Sequence, residues 1–139
     1  MRAELSVALA APVERAFALL SEPSERPRWQ ASLWHVELLT PGETRVGTRW
    51  RERPLGLAWV ELEIVAFERD RLWSERARTA LGTFTVTLRF APVGEATRLD
   101  VEADLALRGP ARLLAPAASL VLPRALAHDL RRAERLLVA

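Results

Sequence analysis

Ala11-Pro12-Val13-Glu14-Arg15-Ala16-Phe17, Arg26-Pro27-Arg28-Trp29 and Val46-Gly47-Thr48-Arg49-Trp50 follow one another in the first fifty residues, and their order decides the fold. The first opens a short helix directly after an apolar strand, with Pro12 suited to the first helical position and Glu14 to the positive end of the dipole. The second puts a tryptophan in a short polar connection, read as one more helical turn over Ser24 to Trp29. The third starts a strand after a glycine. A strand, two short helices and then a run of strands are predicted. Such a sheet, closed by one long helix, tends to enclose an apolar space.

Outward from there the period-two signal repeats. Leu5, Val7 and Leu9 give the first strand, and Val13, Ala16, Phe17 and Leu20 the buried stripe of the helix. Trp34, Val36 and Leu38 alternate with His35 and Glu37, and Thr40 to Glu43 turns the chain. Thr48 to Arg53 is the next strand, and Pro54-Leu55-Gly56 turns again. Trp59 to Phe67, Leu72 to Arg78, the amphipathic run Phe84-Val86-Leu88-Phe90 and the last run Leu99 to Leu107 complete the series. An antiparallel meander with one apolar and one solvated face is expected.

Gly109-Pro110 ends the strands, and helix follows. From Arg124 it is amphipathic, with Leu126, Leu130, Ala133 and Leu137 on one stripe and Arg124, His128, Arg131 and Arg135 opposite. Leu113 to Leu122 is apolar nearly all round, so it must be buried on both sides, face a cavity or meet a partner. Pro123 is expected to kink the helix or divide it.

Bulk properties exclude several functions. A chain of 139 residues fits one domain, 1–139, with a sizeable core. There is no cysteine, hence neither a disulfide nor a thiol nucleophile. The computed isoelectric point of 10.7 suggests nucleic acid, but all 20 basic residues are arginine and tyrosine is absent. Little titrates between histidine and arginine, so the point slides upward while the charge stays at +2. That is too weak a pull for phosphate backbones, and no nucleic-acid partner is expected. The N-terminus lacks the apolar core of a signal peptide, and no stretch approaches the ~18 apolar residues of a membrane span. No integral membrane segment and a cytoplasmic location are the expectation.

The ordered set of these features resembles the START-like (SRPBCC) superfamily, in its bacterial polyketide cyclase/dehydrase-like branch. The similarity rests on the A-P-x-E-x-x-F helix start, Trp29 after a proline, Val46-Gly47-Thr48, Ala96-Thr97-Arg98 and Asp129-Leu130 in the closing helix. It implies an α+β helix-grip fold: a seven-stranded curved antiparallel sheet around a long C-terminal helix, with two short helices between strands 1 and 2. It also implies a cavity between sheet and helix for a lipid, polyketide or other small hydrophobic molecule.

Several residues bear on chemistry. His35 and His128 are far apart without ligand-spaced neighbours, so no metal and no cofactor are expected. No G-x-S-x-G elbow or glycine-rich phosphate loop is present. If Trp50 faces inward, alternation takes Glu52 with it, and if Trp73 does, Glu75 follows. A carboxylate under an apolar roof has a raised pKa and suits general acid–base work, making Glu52 and Glu75 the catalytic candidates. The competing reading pairs them with arginines across the ladder, with Arg76, Arg78 and Arg98 as partners. Trp50, Trp59 and Trp73 fill the core or line a cavity, and Trp29 clamps the short helices to the sheet. The expected ligand-facing strand residues are Trp50, Leu62, Trp73 and Val101, together with Phe84, Val86 and Leu88; Leu122 and Leu126 come from the helix.

Three functions from different classes stay open. The first is a carrier or sensor of a small apolar molecule. The second is a cyclase- or dehydrase-type enzyme, and the third is a homodimer or adaptor that buries Leu113–Leu122.

Overall fold

The computed structural model describes residues 1–54 and 58–139, and of Trp34 only the backbone. Seven strands form one antiparallel sheet: β1 (Arg2–Leu9), β2 (Leu33–Leu38), β3 (Arg49–Pro54), β4 (Val60–Glu68), β5 (Leu72–Thr79), β6 (Gly82–Val93) and β7 (Ala96–Leu107). Their spatial order is β1-β7-β6-β5-β4-β3-β2. The chain therefore starts at one edge, crosses to the other, and returns strand by strand. The crossing is made by α1 (Val13–Leu20), a 3-10 turn at Pro23–Glu25 and the one-turn helix α2 (Arg26–Trp29). A second 3-10 turn, Gly109–Leu114, leads into α3 (Ala115–Val138). This is the α+β helix-grip architecture. Of the turn expected at Pro54-Leu55-Gly56, Pro54 ends β3 and residues 55 and 56 lie outside those described.

Alternation sets which side chains meet α3. Ala3, Leu9, Leu99, Val101 and Ala103 are buried on the two neighbouring edge-side strands, and Asp100, Glu102 and Asp104 stand on the other face. There the polar face pairs across strands, as Arg2 with Asp104, Arg51 with Glu37 and Arg49 with Glu61. In β4 the register slips between Ile64 and Ala66, a bulge that turns Phe67 back to the inner face. Phe67 then meets Phe17 of α1 edge-on at 5.4 Å, and Phe17 meets Phe90 at 5.1 Å. Val13, Ala16, Phe17 and Leu20 form the buried face of α1, and Pro12 caps that helix from outside its first turn. The fully buried Trp50, Trp73, Ile64 and Leu99 hold the centre of the core.

One expectation changes here and another narrows. Trp59 precedes β4 and is 41% exposed, its ring covered by the Arg51 guanidinium at 4.4 Å, so it does not fill the core. Pro123 lies inside one continuous α3 and does not divide it. The helix loses only the bond that a residue-123 N–H would give to the carbonyl four residues earlier. Leu130, Ala133 and Leu137 are buried on the sheet side of α3 and Leu126 is partly so. By contrast Leu113, Leu114, Leu120 and Val121 are exposed, Leu113 by 84%.

Candidate functional site

Between the sheet and α3 lies a cavity of about 350 Å³. Its walls are apolar and come from separate elements: Leu62 and Ala77 from β4 and β5, and Phe84, Val86 and Leu88 from β6. Val101, Ala103 and Leu105 of β7 continue the wall, and Leu122, Leu126 and Leu130 of α3 form its roof. Volume and lining fall in the range typical of small-molecule sites, ~300–1,000 Å³. β6 and β7 present small and medium-sized side chains to this space, Ala103 and Val86 among them.

One end of the cavity is polar. Pro27 in the first turn favours the tight α2, and the Gln30 N–H closes that turn on the Arg26 carbonyl at 2.8 Å. This single turn carries Arg26, only 4% exposed, into the protein. The guanidinium sits over the Trp50 ring, 5.4 Å from its centroid, between two carboxylates. It donates to Glu75 and, at 3.5 Å, to Glu52. Each carboxylate also accepts from the indole two residues before it on its own strand. Trp50 Nε1 lies 3.3 Å from Glu52 and Trp73 Nε1 lies 3.4 Å from Glu75. The same W-x-E spacing on β3 and β5 thus builds a buried carboxylate–arginine–carboxylate clamp.

Its electrostatics follow from the count. Two buried carboxyls share one cation, and a surplus negative charge away from water is costly. Burial raises the Glu52 carboxyl above its ordinary value, Arg26 opposes the rise, and Glu75 reinforces it. Burial disfavours the charged Arg26 as well, but Glu75 and Glu52 outweigh it and hold the guanidinium protonated. A third carboxyl, Asp129 of α3, also lines the cavity and is 9% exposed. Burial raises it too, although it accepts the Ala31 N–H at 3.1 Å.

Among the described residues, three buried polar side-chain atoms have no hydrogen-bond partner: Arg26 Nε, Trp29 Nε1 and Gln30 Oε1. All three belong to side chains that line this cavity.

The sequence pattern of the family described as polyketide cyclase / dehydrase and lipid transport matches residues 1–138. The chain belongs to that family. No curated protein sequence matches it. Among solved structures, the Thermus thermophilus protein TTHA0849 superposes with a TM-score of 0.80 at 17% identity, over 99% of this chain and 97% of its own. A START superfamily protein from Mycobacterium smegmatis does so with a TM-score of 0.80 at 15% identity, over 98% and 96%. A Mesorhizobium loti protein gives 0.75 at 18%, over 99% and 96%. At such identities the likeness carries the fold alone.

Within this family member the residues singled out in the sequence separate into two layers. Leu62, Phe84, Val86, Leu88, Val101 and Leu126 lie on the cavity wall, and so does Leu122. Trp50 and Trp73 do not: they are fully buried outside its lining, their rings 5.8 Å apart, with the guanidinium over Trp50. Glu52 and Glu75 reach the cavity, but their partner is Arg26 rather than Arg76, Arg78 or Arg98. The pleat explains this, since residues 76 and 78 point to the face opposite Glu75, and Arg98 pairs with Asp100 there. Trp29 is buried as a clamp would be, and it is also part of the cavity wall. His35 and His128 are both exposed. Among the described residues no cluster of three histidine, cysteine or acidic side chains could hold a metal, and no helix is long and apolar enough to cross a membrane.

Arg26, Gln30 and Asp129 were not picked out from the sequence as site residues. One signal pointed to Arg26. Two glutamates on inward-facing strand positions require a buried cation, and the inward positions of the strands contain no basic residue.

Proposed function

We propose that residues 1–139 act as one cytoplasmic domain that binds, and hands on, a small hydrophobic molecule of the lipid or polyketide kind. The observation that carries this is the cavity of about 350 Å³ with an apolar wall and one polar end. Family membership supports the same reading, because the family's description joins cyclase/dehydrase chemistry to lipid transport. The test is titration of the purified protein with an uncharged apolar fluorophore such as N-phenyl-1-naphthylamine, together with native mass spectrometry. Saturable, one-to-one binding that a co-purifying or added apolar molecule displaces is expected. Absence of saturable binding by any apolar probe would overturn the reading.

A cyclase- or dehydrase-type activity is the second reading, favoured by the Glu52 carboxyl that burial raises beside the cavity. Against it, Glu52 and Glu75 are both engaged by Arg26 and an indole. Glu52→Gln should abolish turnover of a poly-β-keto substrate with little change in melting temperature if Glu52 moves a proton. Unchanged turnover would remove Glu52 from that role.

The exposed leucines of Leu113–Leu122 support pairing of two copies through this segment. A charge at Val121 should then dissociate a dimer seen by sedimentation. A wild-type monomer at high concentration would dismiss it.

A further inference from the structure

Charge along α3 is arranged unlike charge on the outer face of the sheet. On the sheet Arg2, Arg49, Arg51 and Arg98 each pair with a carboxylate. Residues 105–139 carry six arginines and two carboxyl side chains, and both carboxyls are engaged elsewhere. Asp129 is buried and accepts the Ala31 N–H, and Glu134 accepts the Ala10 N–H at 2.9 Å. Among the described residues none of Arg108, Arg112, Arg124, Arg131, Arg132 and Arg135 forms an ion pair. The whole chain is only +2, so everything outside this segment is net acidic. Positive charge is gathered in one place.

The helical period sorts these side chains. Leu120, Arg124, His128, Arg131, Arg135 and Val138 follow one another at steps of three or four, and all are exposed. Val121 stands beside them, three residues before Arg124. Leu126, Leu130, Ala133 and Leu137 take the opposite side, toward the cavity and the core. Leu120 and Val121 are 65% and 63% exposed, and Leu113 and Leu114 of the preceding 3-10 turn extend the apolar end past Arg112. Exposed leucines grouped in this way mark an interaction surface.

The residues favour one occupant. A second copy related by a two-fold axis would set this patch against itself, arginines against arginines. Nucleic acid would bring phosphates but nothing to cover Leu113, Leu120 and Val121. A protein partner brings N–H donors along with its acceptors, and the stripe has no carboxylate to receive them. A layer of anionic lipid answers both features, with phosphates for the arginines and acyl chains for the leucines.

We propose that the outward face of α3, with the Leu113–Leu114 turn, is a docking surface for a bilayer rich in anionic lipid, on which the protein lies without spanning it. Leu113, Leu120 and Val121 enter the headgroup layer, and Arg112, Arg124, Arg131 and Arg135 hold lipid phosphates. The cavity is on the other side of α3, so docking does not depend on a ligand being bound.

The test is co-sedimentation of the full chain with vesicles of phosphatidylcholine alone and with vesicles containing about one-third phosphatidylglycerol. At low salt the anionic vesicles should bind at least about tenfold more tightly, and added salt should shrink the difference. Arg124→Gln, Arg131→Gln and Arg135→Gln together should weaken that binding at least about tenfold. The same change at Arg69, Arg76 and Arg78 removes equal charge from elsewhere and should weaken it far less. Leu120→Glu should also weaken binding while leaving the melting temperature unchanged, because its side chain has little packing to lose. No preference for anionic vesicles, or equal losses from the two arginine triples, overturns the proposal. A dimer in sedimentation that Leu120→Glu dissociates assigns the face to a second copy and overturns it too. None of these outcomes touches naphthylamine binding, which tests the cavity separately.

Discussion

The Arg26 guanidinium donates to the Glu75 carboxylate across forty-nine residues of chain, inside the protein, while also reaching Glu52 at 3.5 Å. This joins the one-turn α2 to strands β3 and β5 and forms the polar end of an otherwise apolar cavity. Taking away the cation leaves two buried carboxyls without a partner. Arg26→Met should therefore cost about 3–5 kcal/mol at neutral pH in urea unfolding. Adding Glu52→Gln and Glu75→Gln to the same chain should recover most of that loss, since no charge is then stranded. Independent, additive losses from the three changes would contradict the clamp.

Asp129 gives a pH dependence of definite sign. Burial raises its carboxyl above the ordinary value, so the folded chain holds that proton more tightly than the unfolded one. Stability from this source is complete below the unfolded pKa of about 4 and is lost as pH rises through the higher folded value. Glu52, raised by burial, acts in the same direction. Asp100, held low first by the Ser6 hydroxyl, acts in the opposite one. Asp129→Asn keeps an oxygen for the Ala31 N–H but cannot ionise, and Glu52 and Asp100 are common to both proteins. The variant should melt about 2–4 °C above wild type at pH 8, and the gap should close below about pH 4. A gap that widens on acidification would reverse the assignment.

Filling the cavity should separate binding from folding. Val86 lines the cavity on β6 and is only partly buried, so Val86→Phe extends into empty space instead of into packed neighbours. The melting temperature should move by no more than about 2 °C while affinity for an apolar probe falls at least about tenfold. Retained affinity would mean that the probe binds elsewhere.

Gly82 opens β6 at φ +148°, and a Cβ built there meets the Ala106 carbonyl oxygen of β7. Strand pairing fixes that carbonyl, which cannot move aside as a flexible side chain would. Gly82→Ala should cost about 2–3 kcal/mol in chemical unfolding, through backbone strain and the weakened start of the β6–β7 ladder. A neutral substitution would show that the β5–β6 turn adapts.

The order of elements and the inner face of nearly every strand are written in the residue pattern. Those properties are local: the pleat makes residues two apart share a face, so Trp50 and Glu52, or Phe84, Val86 and Leu88, declare their side within a few residues. The family was legible for the same reason, in the succession of Ala11-Pro12, Trp29 and Val46-Gly47-Thr48. What those faces meet follows from how distant segments pack together. The partner of Glu52 and Glu75 depends on where a one-turn helix is laid against the sheet, and alternation within a strand holds no information about that. The placement of Trp50 beneath Arg26, and the exposure of Trp59 under Arg51, depend on the same long-range packing. The cavity was the least legible, because its volume is a small difference between the space enclosed by sheet and helix and the side chains that fill it.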